Sequence, residues 1–324
     1  MVVGEPSCKT DPDPQATIGP TVSVVIPTYR ESAHIEETLS AVRDQTYPRI
    51  VEVLVVDGGS DDSTRELAAV RGARVLENPD QVQAAGLNIG IAAAVGEVIV
   101  RVDGHCTIAP DYVERCVESL GRTGAAMVGG AMSPIRERGI PAAIGMAMAS
   151  PLGAGPARFH RGGPPGWVDT VYLGAYRRAD AVAIGGYATD VGVNEDAEFA
   201  IRMAPRGGVW FDPSIRSSYS PRETLRMVVK QFGIYGASRA LTVRKHPSSL
   251  AVRQLASPLL VLGLCSPWRR RVLGAYLAVV AAEAVRQAAS AGRDGLLVAP
   301  VLPAMHVPWG IGFLVGLTGL VDRR

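Results

Sequence analysis

Gly96-Glu-Val-Ile-Val-Arg-Val-Asp-Gly-His-Cys106 decides the fold of this 324-residue chain. Val98, Ile99, Val100 and Val102 make the short β-branched run expected of a strand buried on both faces. It ends in Asp103-Gly104-His105, a carboxylate and an imidazole two residues apart. In open α/β sheets, ligands bind outside the carboxyl ends of the strands. There an Asp-x-His step can place two ligands on one divalent cation, and the glycine lets backbone approach a bound group. Read locally, Asp103 could equally begin the turn into a helix near Asp111.

Working outward, Thr21-Val-Ser-Val-Val-Ile26 reads as a first strand stopped by Pro27. Thr28, Tyr29, Arg30 and Glu31 follow, then an amphipathic helix over 33–43 with Ile35, Leu39 and Val42 on one face. A second buried strand, Val51-Glu-Val-Leu-Val-Val56, ends in Asp57-Gly-Gly-Ser-Asp-Asp-Ser-Thr64. A short strand at 73–76 and a helix over 82–95 lead back to the Asp103 strand. This alternation predicts a doubly wound, mostly parallel α/β sheet that delivers three polar loops to one edge. The Asp57 loop carries no Lys and is no P-loop. The dinucleotide fingerprint is also missing after the first strand. Asp57, as a strand-end carboxylate, suits a base N–H or ribose hydroxyls. The same loop also reads as a plain helix N-cap built on Ser60 or Asp61. An edge of this kind fits a nucleotide diphosphate donor whose charge falls to a metal at Asp103 and His105.

A length of 324 residues fits two compact units or one large α/β domain, and the net charge of +2 supplies no basic field for nucleic acid. Cys8, Cys106, Cys116 and Cys265 show no C-x-x-C spacing, and no secretory signal is evident, which points to a reducing, cytosolic setting for the catalytic part. Residues 1–20, rich in Pro and acids, read as a disordered lead.

Four stretches in order, Val24-Val-Ile-Pro-Thr-Tyr-Arg-Glu31, Val55-Val-Asp-Gly-Gly-Ser-Asp-Asp-Ser-Thr64, Ala85-Gly-Leu-Asn-Ile-Gly90 and Val102-Asp-Gly-His105, resemble the motifs of the family 2 inverting glycosyltransferases. These have the GT-A fold, and the likeness spans residues 21–245. Within the family the chain looks most like the succinoglycan-type exopolysaccharide transferases, which share the Asp-x-His motif and an apolar tail. The resemblance implies a nucleotide-sugar site of Pro27, Thr28, Tyr29, Glu31, Asp57, Gly59, Ser60, Asn88 and Asp103, with Thr28, Glu31 and Asp57 on the nucleoside. It implies a Mn2+ or Mg2+ ion held by Asp103 and His105. The common family form has Asp where His105 stands, and imidazole suits Mn2+ better than Mg2+.

For the acceptor side, Val193-Asn-Glu-Asp-Ala-Glu-Phe-Ala-Ile-Arg-Met203 predicts a helix capped by Asn194 with Phe199, Ile201 and Met203 inward. Inverting transfer needs one carboxylate base for the acceptor hydroxyl. By the resemblance this is Asp196, with Glu195 and Glu198 supporting it or orienting the acceptor. Gln231 and Tyr235 resemble the family's Gln-containing helix near the site, without the Trp of processive relatives. The Gly/Pro density over 151–166 predicts an irregular lid, with Arg158, His160 and Arg161 either aiding phosphate binding or simply solvated.

From 246 to 324 the chain is apolar, with Arg269-Arg-Arg271, Arg286 and Arg293 between the apolar runs. Of these runs, 255–264 and 272–285 read as interfacial or re-entrant. Only 296–321 approaches bilayer length, and Pro300, Pro303 and Pro308 break it. A membrane-attached tail, with the catalytic domain on the cytoplasmic face, is expected. A helical cap on a soluble core is the competing expectation. The function expected is metal-dependent sugar transfer from a nucleotide diphosphate donor to a glycan or lipid-linked acceptor. A nucleotidyltransferase and a catalytically inactive membrane scaffold are the alternatives.

Overall fold

The computed structural model describes residues 19–135, 138–153, 155, 157–219 and 222–319. Most of the expected lead, residues 1–18, lies outside them. The first strand, β1 (Val22–Thr28), is buried along its whole length, as its apolar run requires. Val22, Val24 and Ile26 enter one core layer and Val25 the other, the period of two that a pleated strand imposes. β1 runs through Pro27 rather than stopping there, pairing with its parallel neighbour as far as Thr28 and Asp57. The reason is parity. Val25, two residues earlier, turns its carbonyl toward Val102. The N–H that Pro27 lacks would therefore face that same side, where the neighbouring strand has already ended.

After β1 come α1 (Ile35–Arg43), β2 (Ile50–Asp57), α2 (Thr64–Val70), β3 (Arg74–Glu77), α3 (Gln83–Ala93) and β4 (Val98–Arg101). Next are β5 (Cys106–Ile108), α4 (Tyr112–Thr123), β6 (Met127–Pro134), α5 (Ile140–Ala149), α6 (Arg158–Arg161), β7 (Gly166–Val168) and β8 (Tyr172–Arg177). The chain ends with α7 (Arg178–Ala183), α8 (Glu195–Met203), β9 (Val209–Tyr219), α9 (Leu225–Lys245), α10 (Ala256–Leu264), α11 (Arg269–Ala291), α12 (Arg293–Leu296) and α13 (Val298–Thr318). The sheet order is β3-β2-β1-β4-β8-β6-β9-β5, with β7 on β9. The expected parallel winding holds for β3-β2-β1-β4; beyond it, β6–β9 is parallel while β4–β8, β6–β8, β5–β9 and β7–β9 are antiparallel. The order in which strands are added reverses between the parallel β1 and β4, which opens a crevice at their carboxyl ends.

Helices α5, α9, α11 and α13 form a third layer around Phe232, Val301, Leu302 and Met305. A Cβ on Gly236 would strike the Trp309 backbone, and one on Gly312 the Gly233 backbone, so α9 and α13 cross on small residues. The tail from 246 on therefore packs on the helix assigned to the catalytic part rather than standing apart. Two expectations for the tail need correction. The middle helix α11 is 23 residues long, because Ala and Arg flanks extend the apolar run in both directions. The last stays helical through Pro303 and Pro308. Both α11 and Arg293–Thr318, at 23 and 26 residues, are long and apolar enough to cross a bilayer. The awkward polar groups turn inward: Glu283 meets Ser150 at 2.7 Å and Arg286 at 2.6 Å, and His306 meets Tyr276 at 2.9 Å.

Candidate active site

The crevice holds a cavity of about 180 Å³, lined by Pro27, Thr28, Tyr29, Glu31, Val56, Gly58, Asn78, Gln81, Gln83, Asp103, Gly104 and His105. The three loops expected at one edge thus meet. Asp57 itself is buried behind the wall and accepts four hydrogen bonds. Its Oδ1 takes Thr28 Oγ1 at 3.2 Å and Ser60 Oγ at 2.6 Å, and its Oδ2 takes the Gly59 and Ser60 amides at 3.1 and 2.9 Å. Ser60 Oγ in turn accepts from the Arg30 amide at 2.8 Å. A carboxylate offers about four acceptor sites, and protein fills them. Asp57, Gly59 and Ser60 shape the wall of the cavity rather than facing it. Neither Ser60 nor Asp61 caps α2, whose N-cap position is Ser63; Asp62 just before it accepts from Thr64 N at 3.1 Å and Thr64 Oγ1 at 2.5 Å.

Asp103 and His105 both line the cavity. Thr38 of α1 holds the loop between them, its hydroxyl 3.0 Å from the Gly104 carbonyl and 3.1 Å from that of Cys106. His105 Nδ1 lies 2.9 Å from Glu31 Oε1, and this bond, opposed by burial, raises the imidazole pKa. Among the described residues no three His, Cys, Asp or Glu side chains converge as a metal cage. One carboxylate and one imidazole on a cavity wall still fit a divalent ion that takes its remaining ligands from a diphosphate and water.

One residue missed from sequence is Arg101. It is buried in β4, its Nε 2.8 Å from Asp103 Oδ1 and its Nη1 3.4 Å from Glu195 Oε1. Burial opposes its charge, but Asp103 and Glu195 outweigh that and hold the guanidinium well above its ordinary pKa. Arg101 thus ties the cavity wall at Asp103 to the first turn of α8. The signal was present, because residues i and i+2 of a strand share a face and Arg101 stands two before Asp103.

At the start of α8, burial pushes the Glu195 carboxyl up to about 7 against the pull of Arg101. Burial likewise raises Asp196, again opposed by Arg101. Asp196 accepts from the Ala197 amide at 2.6 Å and has no ion-pair partner among the described residues. A carboxylate that is raised yet uncommitted is what a general base requires. The helix is anchored behind it by Phe199, stacked on Tyr187 at 4.0 Å. Ala200, rather than Ile201, completes the buried face. Asn194 occupies the cap position without capping, because its amide donates to Thr242 Oγ1 at 2.7 Å instead.

Other expected site residues fall elsewhere. Asn88 clamps the backbone of Tyr187, donating at 2.8 Å and accepting at 2.6 Å, and does not line the cavity. Glu198 turns to Arg202 at 2.6 Å and His246 at 2.9 Å, away from an acceptor. Gln231 donates to Tyr235 Oη at 2.7 Å, and Tyr235 lies within the influence of the Asp196 and Glu195 charges. Arg158 to Arg161 form the short α6 rather than irregular chain; Arg158 bonds the Pro164 carbonyl, and burial lowers the His160 imidazole to about 4. A neutral His160 is no phosphate cation. Asn78, Gln81 and Gln83, which follow β3, also line the cavity without having been expected.

The model of "Glycosyl transferase family 2" matches residues 23–182. Succinoglycan biosynthesis protein ExoA of Rhizobium meliloti (strain 1021) is 32% identical over 314 residues, covering 90% of this chain and 93% of that protein. A Methanococcus voltae dolichyl N-acetyl-alpha-D-glucosaminyl phosphate 3-beta-D-2,3-diacetamido-2,3-dideoxy-beta-D-glucuronosyltransferase is 26% identical over 243 residues, covering 69% of this chain and 74% of that one. Among solved structures, the mannosyltransferase PcManGT of Pyrobaculum calidifontis superposes with a TM-score of 0.63 at 20% identity, over 94% of this chain and 90% of the other. The chain belongs to glycosyltransferase family 2, with the GT-A fold and an apolar helical tail, and it is a transferase.

Proposed function

We propose that this chain transfers a sugar, with inversion, from a nucleoside diphosphate donor to a glycan or lipid-linked acceptor at the cytoplasmic face of a membrane. The observation that carries this is Asp196, a carboxylate raised by burial and without an ion-pair partner among the described residues, across Arg101 from the cavity that ends in Asp103 and His105. The donor would lie in the cavity, its nucleoside among Thr28, Tyr29, Asn78 and Gln81. Asp103 and His105 would hold a divalent ion that compensates the charge of the departing diphosphate. Asp196 takes the proton of the acceptor hydroxyl as that oxygen bonds to the anomeric carbon and the bond to diphosphate breaks from the opposite face. One displacement inverts the configuration. Arg101 keeps Asp103 and Glu195 in place through the step, and Glu195 supports the α8 turn that presents the base.

Support for the ion comes from the Pyrobaculum mannosyltransferase, which was solved with GDP-Man and Mn2+. Support for polysaccharide or glycolipid synthesis comes from the succinoglycan protein and from the dolichyl-linked acceptor in the archaeal enzyme's name. Membrane attachment is supported by α11 and α13, by outward Leu259, Leu262, Leu273 and Leu277, and by Arg269 to Arg271 at the start of α11. A lid over 151–166 is part of the same proposal.

The test uses detergent-solubilised full chain with labelled UDP-, GDP- and dTDP-sugars and a membrane lipid extract. One donor is expected to support Mn2+-dependent transfer, and Asp196→Asn to lower turnover about 10²- to 10⁴-fold. Unimpaired transfer by Asp196→Asn would overturn the mechanism. Pyrophosphate release from a nucleoside triphosphate would favour the nucleotidyltransferase, and inertness toward every donor the scaffold.

A further inference from the structure

Glu31 lies at the cavity wall but its carboxylate is engaged with protein. Its backbone is pinned twice: the amide donates to Thr64 Oγ1 at 2.8 Å, and the carbonyl accepts the His34 and Ile35 amides at 2.9 and 2.8 Å as α1 begins. From there the side chain crosses Gly104 to reach His105. A Cβ on Gly104 would sit 3.0 Å from Glu31 Cγ and 3.0 Å from Thr28 Cγ2. The middle residue of Asp103-Gly104-His105 is therefore a glycine for a steric reason of its own: it makes the passage through which Glu31 meets the imidazole. Thr38 fixes the far side of that passage through the Gly104 and Cys106 carbonyls.

Only one imidazole nitrogen is engaged. Nδ1 meets Glu31 Oε1 at 2.9 Å, and Nε2 has no hydrogen-bond partner among the described residues. A metal-ligating histidine almost always donates its other ring N–H to an oxygen partner, which fixes the tautomer and strengthens the ligand.

We propose, on the basis of the donor site described above, that Glu31 is the positioning residue of a metal ligand rather than a nucleoside contact. By accepting the Nδ1 proton of His105 across Gly104, it leaves Nε2 to ligate the divalent ion that accompanies the diphosphate. Glu31, Gly104 and His105 form one unit. The chain substitutes imidazole for the common carboxylate in the metal motif and recovers the missing negative charge one bond further out.

The experiment measures Mn2+ binding to the full chain by electron paramagnetic resonance in the presence of UDP and, separately, GDP. Nucleotide affinity is measured in parallel under chelator. Glu31→Gln is expected to weaken Mn2+ binding about 10- to 100-fold, while leaving nucleotide affinity under chelator unchanged; Gly104→Ala, which closes the passage, is expected to weaken Mn2+ binding as well. Pulsed resonance is expected to show coupling of Mn2+ to an imidazole nitrogen in the parent chain and none in His105→Asp. In the His105→Asp background Glu31→Gln is expected to weaken Mn2+ binding much less than in the parent, because no imidazole N–H remains for Glu31 to accept. Weakened nucleotide binding under chelator in Glu31→Gln would assign Glu31 to the nucleoside and overturn the inference. So would equal loss of Mn2+ in the two backgrounds, or Mn2+ bound without nitrogen coupling. Mn2+ that binds with neither nucleotide would overturn the donor site itself, an outcome distinct from Mn2+ that binds but ignores Glu31.

Discussion

Two carboxylates of the candidate site, neither of them on the cavity surface, are built in opposite ways. Asp57 ends a central strand and accepts from Thr28, Gly59 and twice from Ser60. Asp196 opens a helix, accepts from one amide, and is held above its ordinary pKa by burial. A fully satisfied carboxylate fixes the shape of its surroundings, whereas a poorly satisfied one stores reactivity toward a proton. On the proposed mechanism, the donor wall is a positioning surface and the acceptor wall a chemical one. Arg101 is the only residue that ion-pairs with both walls among the described residues, through Asp103 and Glu195.

The strongest way to break this contrast is to remove its link. Arg101→Leu would leave two buried acids without a counter-charge, and removal of one partner from a buried pair costs about 3–5 kcal/mol. Thermal unfolding of the solubilised protein should show that loss, and a variant as stable as the parent would deny Arg101 its linking role. Smaller is the effect of Asp57→Ala, which strands the Ser60 and Gly59 amides and the Thr28 hydroxyl at a cost of about 1–3 kcal/mol. It should weaken nucleotide binding through the collapse of the 28–30 and 58–60 loops. Full-affinity binding in a destabilised protein would show that the loops are not the donor wall. Smallest is a pH effect. The folded pKa of Glu195 stands above its ordinary value of 4.5, at about 7. Its contribution to stability is thus full below about 4.5 and is lost as the pH rises through about 7. Glu195→Gln removes that loss, so the variant's midpoint should rise relative to the parent's across this interval. A constant difference would show that Glu195 is not a raised acid.

Much of the donor wall was legible. β1, β2 and β4 announce themselves as β-branched runs, and each ends in the polar residues that line or shape the cavity. The alternation of strands and helices also announced that their loops would meet at one edge. What stayed hidden has physical reasons. Arg101 sits within an apolar run whose hydrophobicity masked one charge. Asn88 belongs to a motif, but its amide closes a bidentate pair with the Tyr187 backbone 99 residues away, a long-range contact that no local pattern encodes. Glu198 looked like a third acid of one cluster, yet helical geometry turns it toward Arg202, the i+4 neighbour. Proline counts argued against α13, but Gly312 and Gly316 let it pack closely on α9, and such packing tolerates missing amides.

The separation of the two walls is tested most directly by titrating solubilised Asp103→Ala and Asp196→Asn with UDP and GDP in Mn2+. The account expects nucleotide binding to be lost in Asp103→Ala and retained at parental affinity in Asp196→Asn. Retained binding in the first, or lost binding in the second, would contradict it.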